Sequence, residues 1–151
     1  MRLPSKLETM VESLIQSYFD AFNRHDLDGM LDTLHKAVWH DINEGGVEIG
    51  KDAFRAFKTH MDRCYREQID ELLIMSNGQR GAAEFIVHGE YIATDEGLPE
   101  AKGQKYSIPA AAFFEEQDGK LIRVTSYYNL RQWIETVTTA ESTEVSSPQD
   151  H

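Results

Sequence analysis

The apolar residues of this chain change period once. As far as Arg66 they recur mainly at three- and four-residue spacing, and from Gln68 they alternate every second position. The first spacing builds helices with one buried stripe, and the second builds strands with one buried face. Helices grouped before strands leave few ways to bury both sets. The pattern predicts an α+β domain, a cone in which three N-terminal helices pack on a curved, mostly antiparallel sheet and enclose a pocket.

Leu7, Met10, Val11, Leu14, Ile15, Tyr18, Phe19 and Phe22 make the stripe of the first helix, with Ser5 and Glu8 at capping-box spacing. Tyr18 lies on that stripe, so its hydroxyl needs either a buried partner or a cavity. The rhythm breaks at His25, and Asp26 is placed to cap a second helix carrying Leu27, Met30, Leu31 and Leu34. A short strand, Val38 to Ile42, follows. Trp39 and Asp41 share one of its faces, and Val38, His40 and Ile42 the other. After the turn at Asn43 to Gly46, a third helix runs from Lys51 to about Arg66. Phe54, Phe57, Met61 and Cys64 form its apolar side, and a basic, solvated side includes Lys58.

Four strands are predicted next: Gln68 to Ser76, Gly81 to Thr94, Gln104 to Glu116 and Lys120 to Asn129. Asn77-Gly78 and Asp118-Gly119 mark hairpins. Phe85 and Val87 share a face of the second of these strands, with His88 opposite. Pro109 suggests an edge or bulge in the third. The segment Asp95 to Gly103 is long enough to act as a lid. Residues 1–137 make one domain, with a short last helix around Trp133, and residues 138–151 read as a disordered tail.

Composition narrows the functional classes. The net charge of −11, from 15 Lys and Arg against 26 Asp and Glu, repels phosphate backbones and argues against nucleic acid as a partner. Cys64 is the only cysteine, which excludes an internal disulfide and a multi-cysteine zinc site. With no HExxH or CxxC motif, no metal and no cofactor is expected. The N-terminal residues lack a signal-peptide core and no apolar run reaches membrane-span length, so a cytoplasmic protein without a membrane partner is expected.

The stretch from Gln16 to Met30 resembles the first-helix motif of ketosteroid isomerases, within the nuclear transport factor 2-like superfamily and its SnoaL-like polyketide cyclase branch. Gly50 to Phe57 is similar to the family's third-helix entry, and Tyr127-Tyr128-Asn129 to its last strand. The resemblance covers roughly residues 8 to 137. It implies Tyr18 as hydrogen-bond donor to an enolate oxygen and Asp41 as the proton-moving base. It also places Ala111 where the family carries a second acidic donor. Loss of one such donor costs about two to three orders of magnitude in rate. This argues against a fully powered steroid isomerase and leaves chemistry that needs one donor and one base.

The expected function is a cofactor-independent isomerase or cyclase acting on a small apolar or polycyclic carbonyl compound. Trp39, Phe54, Phe57, Phe85, Val87, Ala111, Phe113 and Tyr128 are expected to line the pocket. His40, His88 and Asn129 are auxiliary candidates. A dehydratase-like lyase using His and Asp is one alternative, and a non-catalytic dimeric binding module of the same fold is another. Homodimerisation through the outer sheet face is expected in either case.

Overall fold

A computed structural model of the chain describes residues 9–42 and 46–146, with side chains as far as Ala140. In order the elements are α1 (Met10–Asn23), α2 (Leu27–Asp32), β1 (Leu34–Asp41), β2 (Val47–Ile49), α3 (Lys51–Cys64), β3 (Tyr65–Asn77), β4 (Arg80–Tyr91), β5 (Gln104–Gln117), β6 (Lys120–Tyr128) and α4 (Leu130–Ser146). The strands form one sheet in the order β2-β1-β6-β5-β4-β3. Every neighbouring pair is antiparallel except β1 and β6. The early strand thus joins the last one, and the α+β cone expected from the change of period is the observed architecture.

Thr9 caps α1, its hydroxyl accepting from the Glu12 amide at 3.2 Å, while the expected Ser5 to Glu8 capping box lies outside the described residues. Val11, Ile15, Tyr18 and Phe19 bury their side chains as the stripe predicts. Burying each large apolar side chain contributes roughly 1.5–3 kcal/mol. Gly81 makes room for this contact, because a Cβ there would lie 2.7 Å from Ile15 Cδ1. His25, at φ 60°, turns the chain, and Asp26 Oδ1 accepts from the Gly29 amide at 2.9 Å to start α2 as expected. The Asn23 side chain then behaves like a strand neighbour, donating to Ile69 O at 3.0 Å and accepting from Ile69 N at 2.8 Å.

The hairpin residues Asp118 and Gly119 both have positive φ, 56° and 80°, the pairing that a two-residue turn between twisted strands needs. Pro109 lies in an interior strand and not at the sheet edge, opposite Ile86 of β4. The β6 ladder begins only at Ala110, so locally Pro109 sits beyond the end of that neighbour. The loop expected to act as a lid is tied to the body. Tyr91 Oη donates to Pro99 O at 2.5 Å and accepts from Asp95 N at 3.0 Å, and Gln104 Nε2 donates to Glu100 O at 2.9 Å. These bonds make it a wall of the molecule and not a flap. Helix α4 continues past Val137 to Ser146, where the sequence suggested that regular structure ends.

Lys58 departs from the solvated basic side assigned to α3. It is 8% exposed, pairs with Asp62 one turn on, and holds its ammonium 4.3 Å from the centre of the Phe22 ring. The lysine stem packs on apolar surface while its charge is neutralised locally.

Candidate active site

Between α1, α3 and the inner sheet face lies a cavity of about 610 Å³. Alternation decides which residues reach it. Phe85 and Val87 of β4 oppose Ala110 and Ile108 of β5, and Ala110 in turn opposes Tyr128 of β6, so all five share the inner face. Helix α1 contributes Tyr18 and Phe19, and α3 contributes Phe54 and Phe57. Edge-to-face contacts of Tyr18 with Phe19, Phe54 and Phe114, at centroid separations of 5.1, 6.2 and 5.6 Å, fix the phenol in place. Among the described residues none hydrogen-bonds to its hydroxyl. Burial pushes the phenol well above its ordinary pKa, so it stays protonated and serves as a donor.

His40 is the second inward polar group. Its strand face also carries Val38, fully buried, and the imidazole is 4% exposed against Phe54 and Phe57, at 4.8 and 4.9 Å between ring centres. Burial lowers its pKa to about 4 against the opposing pull of the Asp41 charge. The ring is therefore neutral at physiological pH. Its Nδ1 is buried without a hydrogen-bond partner among the described residues, and the same holds for Oε1 of Glu48, which faces His40 across the β1–β2 ladder. Tyr18 and His40 both pack on the Phe54 ring, which puts an unengaged donor and a neutral imidazole on one wall.

Asp41, expected to be the base, is not on that wall. The residues lining the cavity include His40 and Ile42 but neither Trp39 nor Asp41, because strand alternation sends the latter two to the outer face. Trp39 is 39% exposed there beneath the Arg123 guanidinium, at 5.6 Å to the ring centre. Ala111 and Phe113 also face outward, opposite Tyr127 and Thr125, and Phe113 is 43% exposed. The alanine inside the cavity is Ala110. His88 is on the outer face too, bonded through Nδ1 to Ser107 Oγ at 2.6 Å. Asn129 caps α4, its Oδ1 accepting from Gln132 N at 3.0 Å. Of the expected residues, Tyr18, His40, Phe54, Phe57, Phe85, Val87 and Tyr128 share the cavity.

At the far end of α3 the cavity wall becomes polar. Asp95 accepts from Tyr65 Oη through Oδ2 at 2.7 Å, and its Oδ1 lies 2.8 Å from His60 Nε2. Burial raises the Asp95 carboxyl, but the hydrogen bonds from Tyr65 and His60 outweigh it, and the net shift is downward. Ligand atoms of His60, Cys64 and Asp95 lie within 4.8 Å of one another, close enough to hold a metal ion. The Cys64 thiol is raised, first by burial and then by the Asp95 charge. Glu67 completes this end, bonded to Tyr106 Oη, and burial raises its carboxyl.

Comparison with known proteins identifies the family of the chain. The SnoaL-like domain model matches residues 15–124. The chain belongs to the SnoaL-like domain family. Its structural relatives include a candidate polyketide cyclase from Pseudomonas putida, 50% identical over 85% of this chain and 98% of that one, with a TM-score of 0.82. A candidate polyketide cyclase from Xanthomonas campestris is 48% identical over 85% and 96% of the two chains, also at 0.82. A third, from a Silicibacter species, is 48% identical over 86% and 96%, at 0.84. Among curated proteins none matches. These relatives support a cyclase or isomerase type of function for this SnoaL-like domain. No described helix is long and apolar enough to cross a membrane.

In this SnoaL-like domain His60, Tyr65, Glu67 and Asp95 are cavity residues that the sequence reading passed over. A signal existed for His60, which stands three residues after Phe57 and four before Cys64 on the apolar side of α3. None existed for Asp95, whose position depends on how its loop is tied to Tyr91.

Proposed function

We propose that this SnoaL-like domain is a cofactor-independent cyclase or isomerase that enolises a ketone-bearing apolar compound, with Tyr18 as donor and His40 as base. The observation that carries the reading is the pairing on one cavity wall of a protonated phenol and a neutral imidazole, neither engaged by a described hydrogen-bond partner. A base with pKa about 4 is weak, so removal of a proton beside a carbonyl requires strong stabilisation of the enolate oxygen. The Tyr18 hydroxyl, held by three aromatic rings in a low-dielectric wall, supplies it without reorganisation. Phe19, Phe57, Phe85 and Val87 would cover an aromatic or polycyclic body of the ligand.

Benzoylacetone is a suitable probe, since its carbonyl-flanked protons exchange with deuterium oxide through an enolate. The protein is expected to accelerate that exchange, read by NMR. Tyr18→Phe is expected to slow it by about two to three orders of magnitude. An unchanged rate in that variant would remove the reading. We also propose that the outer sheet face, with Trp39, Phe113 and Tyr127 exposed, pairs two copies of the chain.

A further inference from the structure

We propose that His60, Cys64 and Asp95 form a binding site for one zinc ion at the polar end of the cavity. The proposal goes beyond the reaction assigned to Tyr18 and His40, which uses no ion. Three observations carry it.

The first is the donor set. One imidazole, one thiol and one carboxylate converge, with their ligand atoms within 4.8 Å of one another. Nitrogen, sulfur and a single oxygen together suit zinc, whereas calcium and magnesium take oxygen ligands. Around a tetrahedral zinc at ordinary bond lengths, neighbouring ligand atoms stand about 3.4–3.6 Å apart. The 2.8 Å between His60 Nε2 and Asp95 Oδ1 therefore opens slightly on binding, and any gap near 4.8 Å closes, both within the reach of side-chain rotation. The ion takes the place of the proton that those two atoms share, and Cys64 binds as thiolate after releasing its proton to solvent.

The second is that the fold itself brings the three ligands together. His60 and Cys64 stand four residues apart in α3, so one helical face presents both. The Cys64 carbonyl, at the end of that helix, accepts from Ile92 N at 2.8 Å and Ala93 N at 3.3 Å, which pins the segment leading to Asp95. Asp95 N donates to Tyr91 Oη at 3.0 Å, and Asp95 O accepts from Leu98 N at 3.0 Å. Tyr65 Oη donates to Asp95 Oδ2 at 2.7 Å and leaves Oδ1 directed at His60, the outer-shell arrangement that orients a metal-binding carboxylate. Tyr65 stacks on Tyr91 at 5.4 Å, and Trp133 packs edge-on against both, which holds the phenol in place.

The third is access and charge. His60 and Asp95 line the cavity with side chains 44% and 19% exposed, whereas Cys64 is buried. An ion enters from the cavity side, and its fourth position is left to water or to an oxygen of a bound ligand. The cavity-lining cations Lys58 and Arg66 are paired with Asp62 and Glu90, so neither occupies the Asp95 carboxylate.

The test uses the intact protein, stripped of metal with a chelator, dialysed, and titrated with zinc in competition with a chromophoric chelator. One zinc per chain is expected, with micromolar or tighter affinity. Cobalt in place of zinc is expected to give visible d–d bands and a near-ultraviolet thiolate charge-transfer band. Cys64 is the only cysteine, so that band reports this site. His60→Gln and Cys64→Ser are each expected to weaken zinc binding by more than about 100-fold, and Tyr65→Phe, which frees the carboxylate without removing a ligand, by about 10-fold. Far-ultraviolet circular dichroism checks the folding of each variant, and His60→Gln, at the more exposed position, keeps the test open if Cys64→Ser does not fold. No zinc bound at micromolar concentration overturns the proposal. So does a cobalt spectrum without the thiolate band, or zinc bound equally by His60→Gln, the result that adventitious surface histidines would give. Benzoylacetone exchange is read without added metal, so failure of the Tyr18 and His40 reading shows separately.

Discussion

At the scale of single residues, the inward turn of His40 decides what this cavity can do. A histidine folded with a pKa near 4, against about 6.5 unfolded, binds fewer protons folded than unfolded between those values. Stability therefore rises with pH across that window. It is fully present above about pH 6.5 and falls as the pH drops towards 4, by roughly 3 kcal/mol at most. The Asp41 charge on the same strand opposes the shift and is already contained in it. Urea denaturation at pH 7 and pH 4.5 checks this. The wild-type decline should shrink in His40→Phe, and an equal decline in both proteins would mean that His40 is not the titrating group. Asp95, whose carboxyl is held low, contributes only below the ordinary carboxylate range, whereas Glu67, whose carboxyl burial raises, loses stability as pH rises from about 4.5 and works against His40 equally in both proteins.

Element by element, the chain's periods carry most of the fold. The stripe of α1, the Asp26 cap, the Asp118-Gly119 turn and the four long strands follow from spacing and turn chemistry that act locally. The face of β1 did not follow, although its information was present. Val38 and Ile42 flank His40 with apolar neighbours, and the two polar-tipped residues Trp39 and Asp41 share the opposite face. A resemblance to a known carboxylate base outweighed that alternation, and the structure sides with the alternation. Short β2 escaped notice because three residues hold too little pattern to detect. The outer face of the sheet gathers Trp39, Phe113 and Tyr127, all 39 to 44% exposed, with the Phe113 and Tyr127 rings 5.7 Å apart. An aromatic patch of this kind is expected to pair with its own copy. Sedimentation velocity at micromolar concentration should show a dimer, and Phe113→Lys should shift it to monomer with unchanged far-ultraviolet circular dichroism. A monomeric wild type would refute this.

Across the whole molecule, the fold sets a buried aromatic wall of the cavity, with Tyr18 and His40, against a more exposed ionic one, with His60 and Asp95, and α3 runs along both. The aromatic wall was half legible in the sequence, through Tyr18. The ionic wall was not, because Asp95, Tyr65 and His60 meet only after β3, β4 and the loop beyond them are in register. In the proposed reaction the base is the inward His40 and not the outward Asp41. Proton exchange of benzoylacetone in deuterium oxide tests it most directly when His40→Gln and Asp41→Asn are compared under identical conditions. A loss of about two to four orders of magnitude is expected for His40→Gln and a near wild-type rate for Asp41→Asn. The reverse pattern, with Asp41→Asn inactive and His40→Gln unaffected, would contradict it.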